Sequence, residues 1–203
     1  AEGEVDLSML QLFDGQLENF GMRVFEKRKN FLAAFIPLFR EAYAFISDQK
    51  EVAGLEYLSK LNEITFPELL QAHLQRDLAM QYTTAGIHRD DLDLTLDGRS
   101  ARKFSSQGQQ KSILIALRLA QYQYISGKVK VKPILLLDDL SAKMDETRLN
   151  KLMELINRNT FGQIFITDTD PARVRSIFSG TRSELKVFQV ENGLVNTAEH
   201  VGA

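Results

Sequence analysis

Pro133-Ile134-Leu135-Leu136-Leu137-Asp138-Asp139 is an unbroken apolar run that stops at two carboxylates. Such a run has the character of a buried strand in a parallel sheet, where both faces are covered and polar alternation is lost. The acids then stand at the carboxyl edge of the sheet, where open α/β folds bind their ligands. Mg²⁺ takes oxygen ligands and keeps several waters, so one carboxylate suits it. A second carboxylate beside it can orient or deprotonate an attacking water. Alone, the run is a weak motif that more often marks a strand ending in a solvated acidic turn, and its surroundings must decide.

Upstream, Ser105-Ser106-Gln107-Gly108-Gln109-Gln110-Lys111 opens a helix. Its apolar positions Ile113, Leu114, Leu117 and Leu119 carry it to about Tyr124, and Ser126-Gly127 ends it. A hydroxyl, a glycine and a helix N-terminus together offer free N–H groups and the positive end of the dipole to an anion. The plainer reading is a capped start with a flexible glycine. Downstream, Glu146 to Asn159 predicts a helix, Gln163 to Thr167 a strand, Pro171 to Phe178 a short helix, and Leu185 to Val190 a strand before an Asn192-Gly193 turn.

Further back, Leu92, Leu94 and Leu96 alternate with Asp93, Thr95 and Asp97, the pattern of a half-buried strand, and Asp97-Gly98 is a hairpin turn. Thr65-Phe66-Pro67-Glu68 combines a capping box with an early proline, so a helix starts there and runs to about Tyr82. Glu51 to Leu61 reads as one or two short strands. Between Asp6 and Ile46, Leu10, Phe13, Leu17, Phe20, Val24, Phe31, Phe35, Leu38, Ala42 and Phe45 recur at helical spacing. They predict one long amphipathic helix or two, with Pro37 expected to kink or interrupt it. The stripe is read as the core face of a helical lobe rather than a dimerising coiled coil, because too few heptads are sustained. Two regions follow: a helical lobe over 1–85 and an α/β part over 86–203.

The 203 residues are 44% apolar and 26% charged, enough for a real core. A net charge of −2 exerts no global pull toward a polyanion, so nucleic acid would need a local patch. Lys128, Lys130 and Lys132 alternate before the apolar run and would share one face of an extended segment, with Arg99, Arg102 and Lys103 near the hairpin; they read as phosphate contacts or as a solvated edge. The absence of cysteine excludes disulfides and thiolate metal sites and suits a reducing cytoplasm. No stretch approaches the roughly 18 apolar residues of a membrane span. Ala1-Glu2-Gly3-Glu4 resembles no signal peptide and reads as a cut or a tag scar, so the chain is expected to begin inside a longer protein.

A Ser-x-Gly-Gln helix start, an apolar strand with Asp-Asp, then Ala142-Lys143-Met144-Asp145 is the ABC-ATPase order of signature, Walker B and D-loop. With Gly86-Ile87-His88-Arg89-Asp90-Asp91 before them, these motifs make the chain resemble the RecF family from about residue 6 to its end. Gln107 replaces the first glycine of the general signature and Asp139 the usual Glu, as in the RecF branch. Ala142 stands where a D-loop usually begins with Ser, and Asp168-Thr169-Asp170 where a switch histidine would fall. No Gly-x-x-x-x-Gly-Lys-Ser/Thr occurs; Ser126-Gly127-Lys128 lacks the earlier glycine.

The resemblance implies an α/β fold: the C-terminal part of an ABC-type ATPase head, a parallel sheet flanked by helices, with an attached helical lobe. It implies that Asp138 holds Mg²⁺ and Asp139 is the catalytic carboxylate. Ser106, Gln107, Gly108 and Gln109 would meet the γ-phosphate of ATP bound to the opposite protomer, and Ala142, Lys143, Met144 and Asp145 would cross the dimer interface. The parent would be a DNA replication, recombination and repair ATPase of the SOS response. It would form an ATP-dependent homodimer, bind duplex DNA near single-strand gaps, and load recombinase with RecO and RecR. The chain alone, without a Walker A loop, is expected to be inactive. His88-Arg89-Asp90-Asp91 reads poorly as a metal cluster, because an extended segment scatters alternate side chains; the resemblance implies an Arg–Asp pair pinning the strand entry beside the nucleotide. Two alternatives stand: another SMC-like head, against which the short lobe argues, and a non-enzymatic interaction module with relic motifs.

Overall fold

A single helix, α1, runs without interruption from Leu7 to Ile46 in the computed structural model, which describes residues 7–139, 144–158, 161–170 and 185–201. Pro37 lies inside it and does not end it. Proline forfeits one i→i−4 bond, to the Ala33 carbonyl. Both residues are exposed, so water can take that carbonyl while the buried face holds the helix straight through. That face is Phe25, Leu32, Phe35, Phe39, Ala42, Tyr43 and Ile46. The stripe read as core therefore divides. Phe13, Leu17 and Phe20 remain 46%, 43% and 61% exposed, and the first large apolar side chain to be buried is Phe25.

After α1, strand β1 (Ala53–Leu58) pairs antiparallel with β2 (Asp91–Leu96), and β2 with the short β3 (Arg99–Ser100). Asp97 and Gly98, with φ of 49° and 74°, make the tight turn between them. Between β1 and β2 come a 3₁₀ turn (Lys60–Asn62) and helix α2 (Phe66–Met80), capped by Thr65 and Glu68 as its sequence predicts. A one-turn α3 (Ala101–Phe104) leads into α4 (Gln107–Ser126). Strand β4 (Leu135–Leu137), helix α5 (Glu146–Asn157) and strand β5 (Ile164–Ile166) form a parallel β–α–β unit in register Leu137↔Ile166. The chain closes on a hairpin of β6 (Leu185–Glu191) and β7 (Leu194–Val201), where only β6 was expected. The helix expected over Pro171–Phe178 lies outside the described residues.

One buried cluster runs from Leu32 to Phe161, so residues on both sides of position 85 share a core and, through β1 and β2, a sheet. Strand β4 corrects its sequence reading. Leu135 and Leu137 enter the core, but Ile134 and Leu136 are 57% and 67% exposed. They line an open groove with Leu114, Arg118 and Ile125 of α4. The apolar run carries material for two covered faces, and the described residues cover one. Among those residues no helix is long and apolar enough to cross a membrane.

Candidate functional site

Parallel pairing brings the ends of β4 and β5 side by side, and that places the acids. The Thr167 amide donates to the Leu137 carbonyl at 3.0 Å, continuing the ladder one step beyond β5. The Thr167 hydroxyl then donates to the Asp138 carboxylate and accepts the Asp139 N–H at 2.9 Å. Asp139 adopts φ = 49°, a left-handed backbone that costs an L-residue roughly 1–2 kcal/mol and that Asp tolerates better than most. Such backbones gather at functional sites. Both acids are exposed. Thr167 was not among the residues singled out from sequence, and its position at the end of an apolar strand parallel to β4 was the signal available.

Asp138, with one oxygen engaged by Thr167, keeps an exposed hard-oxygen donor, which suits a Mg²⁺ ion that takes its other ligands from phosphates and water. Among the described residues no group of three or more His, Asp, Glu or Cys could cage a metal alone. The donor set thus fits Mg²⁺ arriving with a nucleotide.

The α4 start is tied to this edge. Lys111 Nζ, one turn into the helix, donates to the Asp138 carbonyl at 3.2 Å. Ser106 is the N-cap: its Oγ accepts the Gln109 N–H at 3.2 Å, and Gln109 Oε1 accepts the Ser106 N–H at 2.7 Å. The first-turn amides of Gln107 and Gly108 have no intrahelical acceptor, and the turn contains no acid. Gln109 also donates its Nε2 to Glu51 at 2.8 Å, so both ends of its amide are used inside the chain. An approaching anion would therefore meet the Gln107 and Gly108 amides first, with the Ser106 hydroxyl already serving the cap. Ser105 Oγ is buried beside them without a partner.

Of the D-loop stretch, Ala142 and Lys143 lie outside the described residues. Met144 packs on the core. Asp145 caps α5, its Oδ1 accepting the Arg148 N–H at 2.9 Å. Lys128, Lys130 and Lys132 are exposed, but they follow α4 in a turn and irregular backbone, not a strand. The alternation that was expected to align them on one face has no strand geometry to act through; Lys128 instead sits 5.7 Å over the Tyr124 ring.

Asp90 of His88-Arg89-Asp90-Asp91 does form an Arg–Asp pair, but with an arginine of α1. Arg28 donates to Asp90 at 3.1 Å and to the Ile87 carbonyl at 2.6 Å, and Tyr57 Oη also donates to Asp90. His88 Nε2 lies 3.0 Å from the Thr83 carbonyl. This motif fastens the start of β2 to α1 and β1.

Comparison with known proteins yields close relatives. The chain is 45% identical over 185 residues to the DNA replication and repair protein RecF of Flavobacterium johnsoniae, covering 91% of this chain and 52% of that protein. It is 40% identical over 195 residues to the protein of the same description from Parabacteroides distasonis, covering 96% and 53%. The chain thus spans about half the length of the curated relatives it matches. Among solved structures, the recombination mediator protein RecF with ATP, of the RecFOR pathway, superposes with a TM-score of 0.72 at 24% identity, over 99% of this chain and 52% of that one. A structure from work on ATP-driven dimerisation and DNA-stimulated activation of SMC ATPases superposes at 0.51 and 16% identity, over 91% and 89%. At these identities the structural likeness speaks for the fold. No family model matches the chain.

Proposed function

Because the chain belongs to the RecF family, we propose that it is the part of a DNA-repair ATPase that supplies the signature, Walker B and D-loop elements of a composite ATP site. The observation that carries this reading is the joining of two motifs into one unit: Lys111 ties the open α4 start to Asp138, and Thr167 ties Asp138 to Asp139. Asp138 would hold Mg²⁺, which when bound with ATP would offset phosphate charge. Asp139, exposed and set at an angle by its left-handed backbone, would orient the attacking water and accept its proton. The Gln107 and Gly108 amides, with Ser106 and Gln109 holding them in place, would receive the γ-phosphate of ATP bound to a second protomer. Ala142 to Asp145 would cross that interface.

The parent acts as an ATP-dependent homodimer on duplex DNA near single-strand gaps, with RecO and RecR as partners in recombinase loading, in the cytoplasm. Residues 1–85 serve as the lobe and 86–203 as the head, a division of roles within a shared core. Lys128, Lys130 and Lys132 are the candidate phosphate contacts. With no Walker A sequence in the 203 residues, this chain alone neither hydrolyses ATP nor binds it tightly. In the full-length protein, Asp139→Asn leaves ATP binding intact and slows hydrolysis by on the order of 10²-fold or more. A wild-type rate in that variant, measured with and without duplex DNA, overturns the assignment.

A further inference from the structure

Glu51, just beyond the end of α1, collects three donors from three helices. Tyr43 Oη of α1 donates to Oε2 at 2.6 Å, Gln109 Nε2 of α4 to Oε1 at 2.8 Å, and Arg148 of α5 to Oε1 at 2.7 Å. Arg148 spreads further. It donates to Ser112 Oγ at 3.1 Å, and its Nε pairs with Asp145 at 2.9 Å. Ser112 passes the chain on to the Gly108 carbonyl at 2.9 Å. The Glu51 and Arg148 side chains are each 14% exposed, and Ser112 is fully buried.

A largely buried ion pair is weak evidence of stability, because desolvation consumes most of its attraction. Its geometric consequence is firmer. One carboxylate and one guanidinium grip both residues that cap the functional helix starts: Gln109, which closes the Ser106 cap of α4, and Asp145, which caps α5 after the D-loop. Burial works to raise the Glu51 pKa, and the hydrogen bonds from Tyr43, Gln109 and Arg148 together hold it below the ordinary 4.5, so the clamp is charged at neutral pH.

We propose that Glu51 and Arg148 are positioning residues that lock the signature helix start and the D-loop helix start into one rigid body, so that both surfaces reach a second protomer together. This rests on the composite-site reading above. The charged groups of both residues are engaged by partners within the chain. Their loss therefore acts on assembly and leaves ATP binding by the same protomer alone.

The test uses the full-length protein, comparing wild type, Glu51→Gln, Arg148→Met, the double variant and Thr65→Ala. Thr65→Ala removes a cap on α2, remote from the clamp, and controls for lost stability. Calorimetry reads binding of a non-hydrolysable ATP analogue, and sedimentation reads analogue-driven dimerisation. The expected result for Glu51→Gln is analogue binding within about twofold of wild type and dimerisation weakened about 10-fold or more, within the usual range of coupling between sites. Arg148→Met matches it, and the double variant is no worse than either single change. Dimerisation equal to that of Thr65→Ala in both single variants overturns the clamp, as does strict additivity in the double variant. If Asp139→Asn hydrolyses at the wild-type rate, the composite-site reading itself has failed; if Asp139→Asn is slow and Glu51→Gln dimerises normally, only the clamp has.

Discussion

Helices α2 and α4 begin with the same device and differ in what their first turns leave open. Each has a reciprocal capping box, Thr65 with Glu68 and Ser106 with Gln109. In α2 the second helical residue is Pro67, which has no N–H to offer, and the third is a carboxylate that sits on the Thr65 N–H at 2.9 Å and on its hydroxyl at 2.7 Å. The positive end of that dipole is answered within the chain. In α4 the same two positions are Gly108 and the neutral Gln109, so an amide and the dipole stay open to an outside anion. A capping box therefore marks where a helix begins; the residues inside the box decide whether the start is closed or receptive.

The strongest way to break this contrast is to give α4 the second residue of α2. Gly108→Pro removes one donor that the helix does not itself use, so folding of the full-length protein should survive. ATP-driven dimerisation should weaken roughly 10- to 100-fold, the scale of a lost hydrogen bond to a charged group. Sedimentation with a non-hydrolysable analogue measures it. Unchanged dimerisation makes α4 as closed in function as α2.

A smaller effect sharpens the comparison. Thr65→Ala and Ser106→Ala should each cost about 1 kcal/mol in denaturant unfolding, since both delete a cap. Only Ser106→Ala should also weaken ATP-driven association, by several-fold, because the cap holds the receptive amides in place. Equal association in the two variants would reduce Ser106 to a structural cap.

The smallest difference is in acid. Thr65, through its backbone N–H first and its hydroxyl second, holds the Glu68 carboxyl below its ordinary 4.5. A depressed folded pKa stabilises the protein above the unfolded value, and that contribution is lost as pH falls through the folded one. Melting temperatures of wild type and Glu68→Gln should therefore differ by a constant amount above about pH 5 and converge below it. Gln109 does not titrate, so Gln109→Ala should show no such convergence from its own cap.

Local chemistry was legible and distant partnership was not. The Thr65 capping box, the capped start of α4 and the Asp97-Gly98 turn could be read because each depends on residues within a few positions. Thr167 reaches Asp138 across 29 positions, Arg28 reaches Asp90 across 62, and Arg148 reaches Glu51 across 97. No periodicity points from one to the other. The helical spacing of α1 likewise showed that a face was apolar without showing that its large side chains are buried only from Phe25 on.

The sequence by itself determined where α2, α4 and α5 start and that the first turn of α4 carries no acid, because caps and apolar periods are short-range. Only the tertiary structure decided that Pro37 is carried through α1 by the core beneath it, that the Asp90 arginine comes from α1, and that Glu51 binds three helices at once. Those outcomes depend on which surfaces the folded chain brings into contact, and packing is set by the sum of all buried faces rather than by any one segment.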